Sequence, residues 1–130
     1  MLPERNPLSA SIAIAIVDDD ELVRTSIAGL LRSFGIRTAA FESADALLVA
    51  GANSFDCIVS DLQMPGTSGL ELRRFLNDQA DVVPVIIMTA FPERANDARR
   101  LGEHFPLIEK PIDSAQLIAC IQDALGCRFD

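Results

Sequence analysis

Ile58-Val59-Ser60-Asp61-Leu62-Gln63-Met64-Pro65-Gly66 is an apolar run that ends on a carboxylate and then breaks at Pro-Gly. It reads as a strand with an acid at its last position. In open parallel sheets the crevice lies beyond the carboxyl ends of the strands, so an acid placed there faces a site. Taken alone, Asp61 reads as well as a turn residue, because aspartate hydrogen-bonds its own backbone and favours turns. The other strand ends decide between the two.

Upstream, Ile12-Ala13-Ile14-Ala15-Ile16-Val17 is a continuous apolar run with branched side chains, which suits a strand covered on both faces. It ends on Asp18-Asp19-Asp20-Glu21. Asp20 and Glu21 fit the start of a helix, where carboxylates meet free N–H groups and the positive end of the dipole. Asp18 and Asp19 lie one step earlier, where no helix needs them. The spacing of Val23, Ile27, Leu30, Leu31 and Phe34 predicts a first helix that stops at Gly35. A short strand over 36–41 and a helix from Ser43 to near Gly51 lead to the third strand, 55–61.

Downstream, Ser68 with Glu71 forms a capping box for a third helix that buries Leu72, Phe75 and Leu76. The fourth strand spans 82–90, with Pro84 near its start and Thr89 near its end. Pro92 opens a fourth helix, which offers mainly Ala95, Ala98 and Leu101 to the core and stops at Gly102. Leu107-Ile108-Glu109 is a short fifth strand ended by Lys110-Pro111. Asp113 with Gln116 opens the last helix, with Leu117, Ile118, Ile121 and Leu125 on one face and Gly126 at its end.

Five strands alternating with five helices predict an α/β fold: a doubly wound parallel sheet with helices on both faces. The expected organisation is a lead-in over 1–10, one domain over 11–126 and a tail over 127–130. A chain of 130 residues with 49% hydrophobic and 23% charged residues suffices for one core without disulfides or a structural metal. A net charge of −8 argues against direct nucleic-acid binding, which needs clustered Lys and Arg. Cys57, Cys120 and Cys127 show no metal-binding spacing and suggest reduced thiols in a cytoplasmic protein. No apolar run approaches the ~20 residues of a membrane span.

Four of the five strands therefore end in groups with chemistry: Asp18 and Asp19, Asp61, Thr89, and Lys110. Carboxylates brought together repel one another, a conflict that a divalent cation resolves. Mg²⁺ takes oxygen ligands and keeps positions for water and phosphate oxygens. The single histidine, His104, reads as a surface residue. A carboxylate is also a nucleophile able to form an aspartyl phosphate. Phosphoryl transfer asks the protein for a metal, a cation and a hydrogen-bond donor. Asp18 and Asp19 supply metal ligands, Lys110 the cation and Thr89 the hydroxyl.

Val17-Asp18-Asp19-Asp20, Asp61-x-x-Met64-Pro65-x-x-x-Gly69, Met88-Thr89-Ala90 and Glu109-Lys110-Pro111 together resemble the motifs of response-regulator receiver domains of two-component signalling. The resemblance runs from about Ile12 to Leu125. It implies a flavodoxin-like (βα)5 fold with sheet order 2-1-3-4-5, the order for which this family is the standard example. It implies that Asp61 accepts a phosphoryl group from a sensor histidine kinase or phosphotransfer protein. Asp18, Asp19, Asp61 and the backbone carbonyl of Gln63 would then hold Mg²⁺, with Asp19 the more direct ligand. Thr89 is the switch hydroxyl, Lys110 pairs with the phosphoryl group, and the Lys110-Pro111 bond is cis. Such a domain is a signalling phosphoacceptor and not an enzyme. Its expected output passes through the face of the fourth helix, fifth strand and last helix, to an effector or to a second copy of the chain.

The chain departs from the family at Leu107, where receivers carry Tyr or Phe; the nearest aromatic is Phe105. Phe91 and Gln63 occupy positions that, by the resemblance, tune the access of water to the phosphoryl group. Met64 to Leu72 and Phe41 to Ala44 are similar to receivers that precede helix-turn-helix output domains of the LuxR type. Two rival readings follow. One is a receiver fold used as a phosphorylation-independent binding or dimerisation module. The other is a phosphatase of the haloacid-dehalogenase type with Asp18-x-Asp20 as its motif.

Overall fold

In the computed structural model, residues 12–79 and 82–126 are described; the expected lead-in, 1–10, and tail, 127–130, lie outside them. Five strands alternate with five α-helices: β1 (Ala13–Val17), α1 (Glu21–Ser33), β2 (Arg37–Phe41), α2 (Ala44–Ala50), β3 (Cys57–Asp61), α3 (Gly69–Asn77), β4 (Val85–Thr89), α4 (Pro92–Arg100), β5 (Leu107–Glu109) and α5 (Ser114–Leu125). A 3-10 turn, Ala52–Ser54, leads into β3. All strand pairs are parallel and the sheet order is β2-β1-β3-β4-β5.

Strand residues alternate between two cores. Ile14, Ile16, Val59, Ile86, Met88 and Ile108 pack with Ile27 and Leu31 of α1 and Leu117 and Ile121 of α5. Ala15, Val17, Ile58, Val85 and Ile87 pack with Leu47 of α2, Leu72 and Leu76 of α3 and the alanines of α4. Burial on both faces is why β1, β3 and β4 read as unbroken apolar runs. Each fully buried Ile or Leu contributes about 1.5–3 kcal/mol. The predicted caps are formed. Asp20 accepts the Leu22 N–H, Ser68 and Glu71 exchange both capping-box bonds, and Asp113 accepts the Gln116 N–H.

The structure corrects three details. β4 begins at Val85 and not at Val82, because Pro84 has no N–H for the ladder, although its carbonyl accepts the Ile58 N–H at 2.9 Å. Phe75 is 51% exposed and off the core face of α3. Leu101 is 85% exposed: the helix has ended there, and the chain turns away at Gly102, φ +97°. Phe105 fills that part of the core instead.

Candidate functional site

The sheet register brings the strand ends level. Val17 pairs with Ser60, Asp61 with Met88 and Thr89 with Glu109, so Asp18, Asp61, Thr89 and Lys110 converge on one edge. Backbone bonds continue past the strands, from Leu62 N–H to the Met88 carbonyl at 2.7 Å and from Lys110 N–H to the Thr89 carbonyl at 2.8 Å. The Lys110-Pro111 bond is cis.

Asp18 and Thr89 are fully buried, Asp61 is nearly so, and Asp19 is exposed. Asp18, Asp19 and Asp61 each present a carboxylate oxygen within 4.8 Å of the other two. Lys110 reaches across them, with Nζ 2.9 Å from Asp18 Oδ2 and 3.3 Å from Asp61 Oδ1. Burial, and then the charge of Asp18, hold the Asp61 carboxyl above the usual aspartate value, against the opposing pull of Lys110. Burial works to lower Lys110. The hydrogen bond to Asp18 and the charge of Asp61 outweigh it, leaving the ammonium above its ordinary value.

A pocket of about 150 Å³ opens beside this cluster, lined by Asp61, Gln63, Thr89, Ala90, Phe91 and Lys110. The Thr89 hydroxyl oxygen accepts the Phe91 N–H at 2.9 Å. The half-exposed Phe91 ring carries the Arg94 guanidinium 5.3 Å from its centre. Asp18, Asp19, Asp61, Gln63, Thr89 and Lys110 therefore lie at one sheet edge. His104 is exposed and apart from them, its carbonyl accepting from Arg73 at 2.6 Å. Asp20 is engaged as the α1 cap and stands outside the acid cluster.

Two neighbours of Asp61 carried no predicted role. Gly69 opens α3 directly against the strand end, where a Cβ would sit 2.3 Å from the Asp61 carbonyl oxygen. Ser60, a buried hydroxyl in an otherwise apolar run, donates to that same carbonyl at 3.0 Å. Further out, Thr67 donates to Asp45 at 3.0 Å and ties the loop after Asp61 to α2. The glycine was visible within a motif and the serine as a polar break; neither signal alone says what it holds.

Three oxygen donors without nitrogen or sulfur suit a hard cation such as Mg²⁺. The residues present fit it, Asp19 as the accessible member and Asp61 beside the pocket. Asp18 already takes Lys110 on one oxygen and the Asp20 N–H on the other, at 2.9 Å each.

A family model described as the response regulator receiver domain matches residues 14–122. The transcriptional regulatory protein FixJ of Azorhizobium caulinodans is 41% identical over 119 residues, 89% of this chain and 56% of that protein. The polar-differentiation response regulator DivK of Brucella ovis is 34% identical over 118 residues, 88% of this chain and 96% of that protein. Full-length FixJ from B. japonicum superposes with a TM-score of 0.76 at 37% identity, over 88% of this chain and 57% of that structure. The chain thus spans about half the length of the FixJ proteins it matches, and nearly all of DivK.

Proposed function

Because this chain belongs to the response regulator receiver domain family, a family of two-component signalling modules, we propose that it accepts a phosphoryl group on Asp61 from a sensor histidine kinase or phosphotransfer protein. The observation that carries the reading is the placement of Lys110 between two buried carboxylates, beside a pocket that also holds a hydroxyl.

In the reaction the phosphohistidine N–P bond breaks as an Asp61 oxygen bonds to phosphorus. Asp61 must be ionised to attack. Burial and the charge of Asp18 raise its pKa, which makes its anion the more basic nucleophile, and the charge that the incoming phosphoryl group adds is what a metal and Lys110 would offset. Asp18, Asp19, Asp61 and the Gln63 carbonyl would hold Mg²⁺, which when bound offsets charge on the phosphoryl oxygens. Lys110 is close enough to move from Asp61 to a phosphoryl oxygen while keeping Asp18. Thr89 can release the Phe91 N–H and turn its hydroxyl to the same group. The Phe91 N–H lies at the start of α4, so that rotation reaches the face of α4, β5 and α5, where we place the contact with an effector or a second copy of the chain. Phe91 lines the pocket and would slow the access of water.

Intact mass after incubation with Mg²⁺ and acetyl phosphate tests the reading on wild type and Asp61→Asn in parallel. The expected result is one added phosphoryl group in the wild type only, lost under chelation. A folded wild type that gains no mass from the phosphodonor or from kinase would sink it in favour of a phosphorylation-independent binding module.

A further inference from the structure

We infer that Arg24 is a positioning residue for the acid cluster: its guanidinium fixes the peptide joining Asp18 to Asp19 and so sets how tightly the three carboxylates hold a divalent cation. The inference rests on the proposed reading of the site as Mg²⁺-dependent. It concerns a residue that touches no reacting atom.

The turn that carries Asp19 is held on both sides. Before it, the Asp18 carbonyl accepts from Arg24 Nη1 at 2.7 Å. After it, the Asp20 N–H donates to Asp18 Oδ1 at 2.9 Å. Asp18 itself is anchored further by its N–H on the Phe41 carbonyl at 3.1 Å and by Lys110 on Oδ2. Of these bonds, only the one from Arg24 acts on the peptide plane directly preceding Asp19. The peptide unit is planar, so holding the Asp18 carbonyl also holds the Asp19 N and Cα, from which the exposed carboxylate projects. Arg24 is in turn placed by α1: its own N–H bonds the Asp20 carbonyl at 3.1 Å, one turn from the cap. The arginine therefore ties the helix start to the strand end across the acids.

A cation bonded to the carbonyl between Asp18 and Asp19 has a second effect of opposite sign. Its charge alone disfavours a metal ion, so removing it would tighten Mg²⁺ binding if charge were its main contribution. Loss of positioning would weaken binding instead. Partners that orient metal ligands typically govern affinity by about 10–100-fold.

The test is a Mg²⁺ titration of the full chain followed by melting temperature, on wild type, Arg24→Met and Arg24→Lys. Arg24→Met is expected to raise by about tenfold, the low end of that range, the Mg²⁺ concentration needed for a given rise in melting temperature over chelator. Arg24→Lys, which keeps the charge and a donor, is expected to recover part of the loss. An unchanged or lower Mg²⁺ requirement in Arg24→Met overturns the inference, as does a lower melting temperature in chelator with that requirement unmoved, which is a packing effect. Arg24→Gln carries the same comparison if Arg24→Met does not fold. A wild type without any Mg²⁺-dependent rise overturns the reading of the site itself, and this inference with it.

Discussion

The two sides of the pocket are built differently. On the β1–β3 side Asp18 has its N–H, its carbonyl and both carboxylate oxygens engaged, and Asp61 is pressed from behind by Gly69 and Ser60. On the β4 side, Thr89 takes, among the described residues, only the Phe91 N–H on its hydroxyl oxygen, and α4 starts without a side-chain cap. That helix buries two alanines and little else. Asp18 and Lys110 are thus held in place by the bonds between them and around them, the preorganisation that the proposed chemistry calls for. The element next to Thr89 is thus the kind from which moving parts are drawn, since these come from the low-stability end of a fold.

What holds α4 sits at its far end. Phe105 is buried between two guanidinium groups, Arg73 of α3 and Arg99 of α4, at 5.3 and 5.1 Å from its ring centre. Arg99 also donates to the Phe105 carbonyl at 2.8 Å. Leu107, which stands where the family carries an aromatic, is half-buried two residues further on.

The largest effect is expected on the rigid side. Gly69→Ala forces a Cβ to 2.3 Å from the Asp61 carbonyl oxygen and 3.2 Å from Ile87 Cδ1. The closer of these contacts is with backbone, so the strand end or the helix start must shift. A loss of about 3 kcal/mol, the upper end for overpacking, should lower the urea midpoint without changing the slope. A midpoint within error of wild type would mean that Asp61 is not pinned from behind. On the mobile side, Phe105→Leu keeps most of the volume but removes both cation–π contacts, a loss of about 2 kcal/mol. Hydrogen exchange should then quicken in α4 while β1 and α1 keep their protection. Uniform loss of protection would make α4 part of the same rigid unit as the acids.

Those residues also show where the sequence was readable. The five βα units were legible because doubly covered strands are continuous apolar runs and because the caps at Asp20, Ser68 and Asp113 are local signals. The convergence of the strand ends followed from parallel pairing, whereas the sheet order came from resemblance. Phe75 misled because it lies roughly 90° around the helix from the Gly69, Leu72 and Leu76 stripe, at 3.6 residues per turn. Leu101 misled because helical periodicity does not show where the helix stops. Phe105 sits in an irregular loop with no period to mark it, and its partners come from two different helices. Arg24 and Gly69 act on backbone atoms, which leave no complementary residue type in the sequence.

The acid cluster predicts a smaller, pH-dependent effect with a definite sign. Asp61 has a folded-state pKa raised above its ordinary 3.8 by burial first and by Asp18 next. The folded state thus favours the protonated form. Stability from this group is fully present below the ordinary value and is lost as pH rises through the raised one. Asp61→Asn in chelator should melt at or near the wild-type temperature in acid and above it at neutral pH, the difference opening across that window. A variant that is less stable than wild type at neutral pH in chelator would contradict the repulsion on which the metal reading depends.

The smallest effect separates aromatic from ionic contributions to the hold on α4. Arg74 makes two bonds to Glu103, at 2.9 and 2.6 Å, joining α3 to the loop before β5 just beside Phe105. The bond from Arg74 holds the Glu103 carboxyl below its usual value, so its contribution is present above the ordinary 4.5 and fades as pH falls through the lowered one. The arginine side chain is 52% exposed, however, and a paired geometry in water is largely offset by solvation. Arg74→Ala should therefore cost under about 1 kcal/mol, and less still in 1 M salt, where screening acts within ~3 Å. A loss equal to that of Phe105→Leu, and abolished by salt, would assign the hold on α4 to the ion pair. The buried ring would then be filling space, and the mobile side of the site would respond to ionic strength while the rigid side did not.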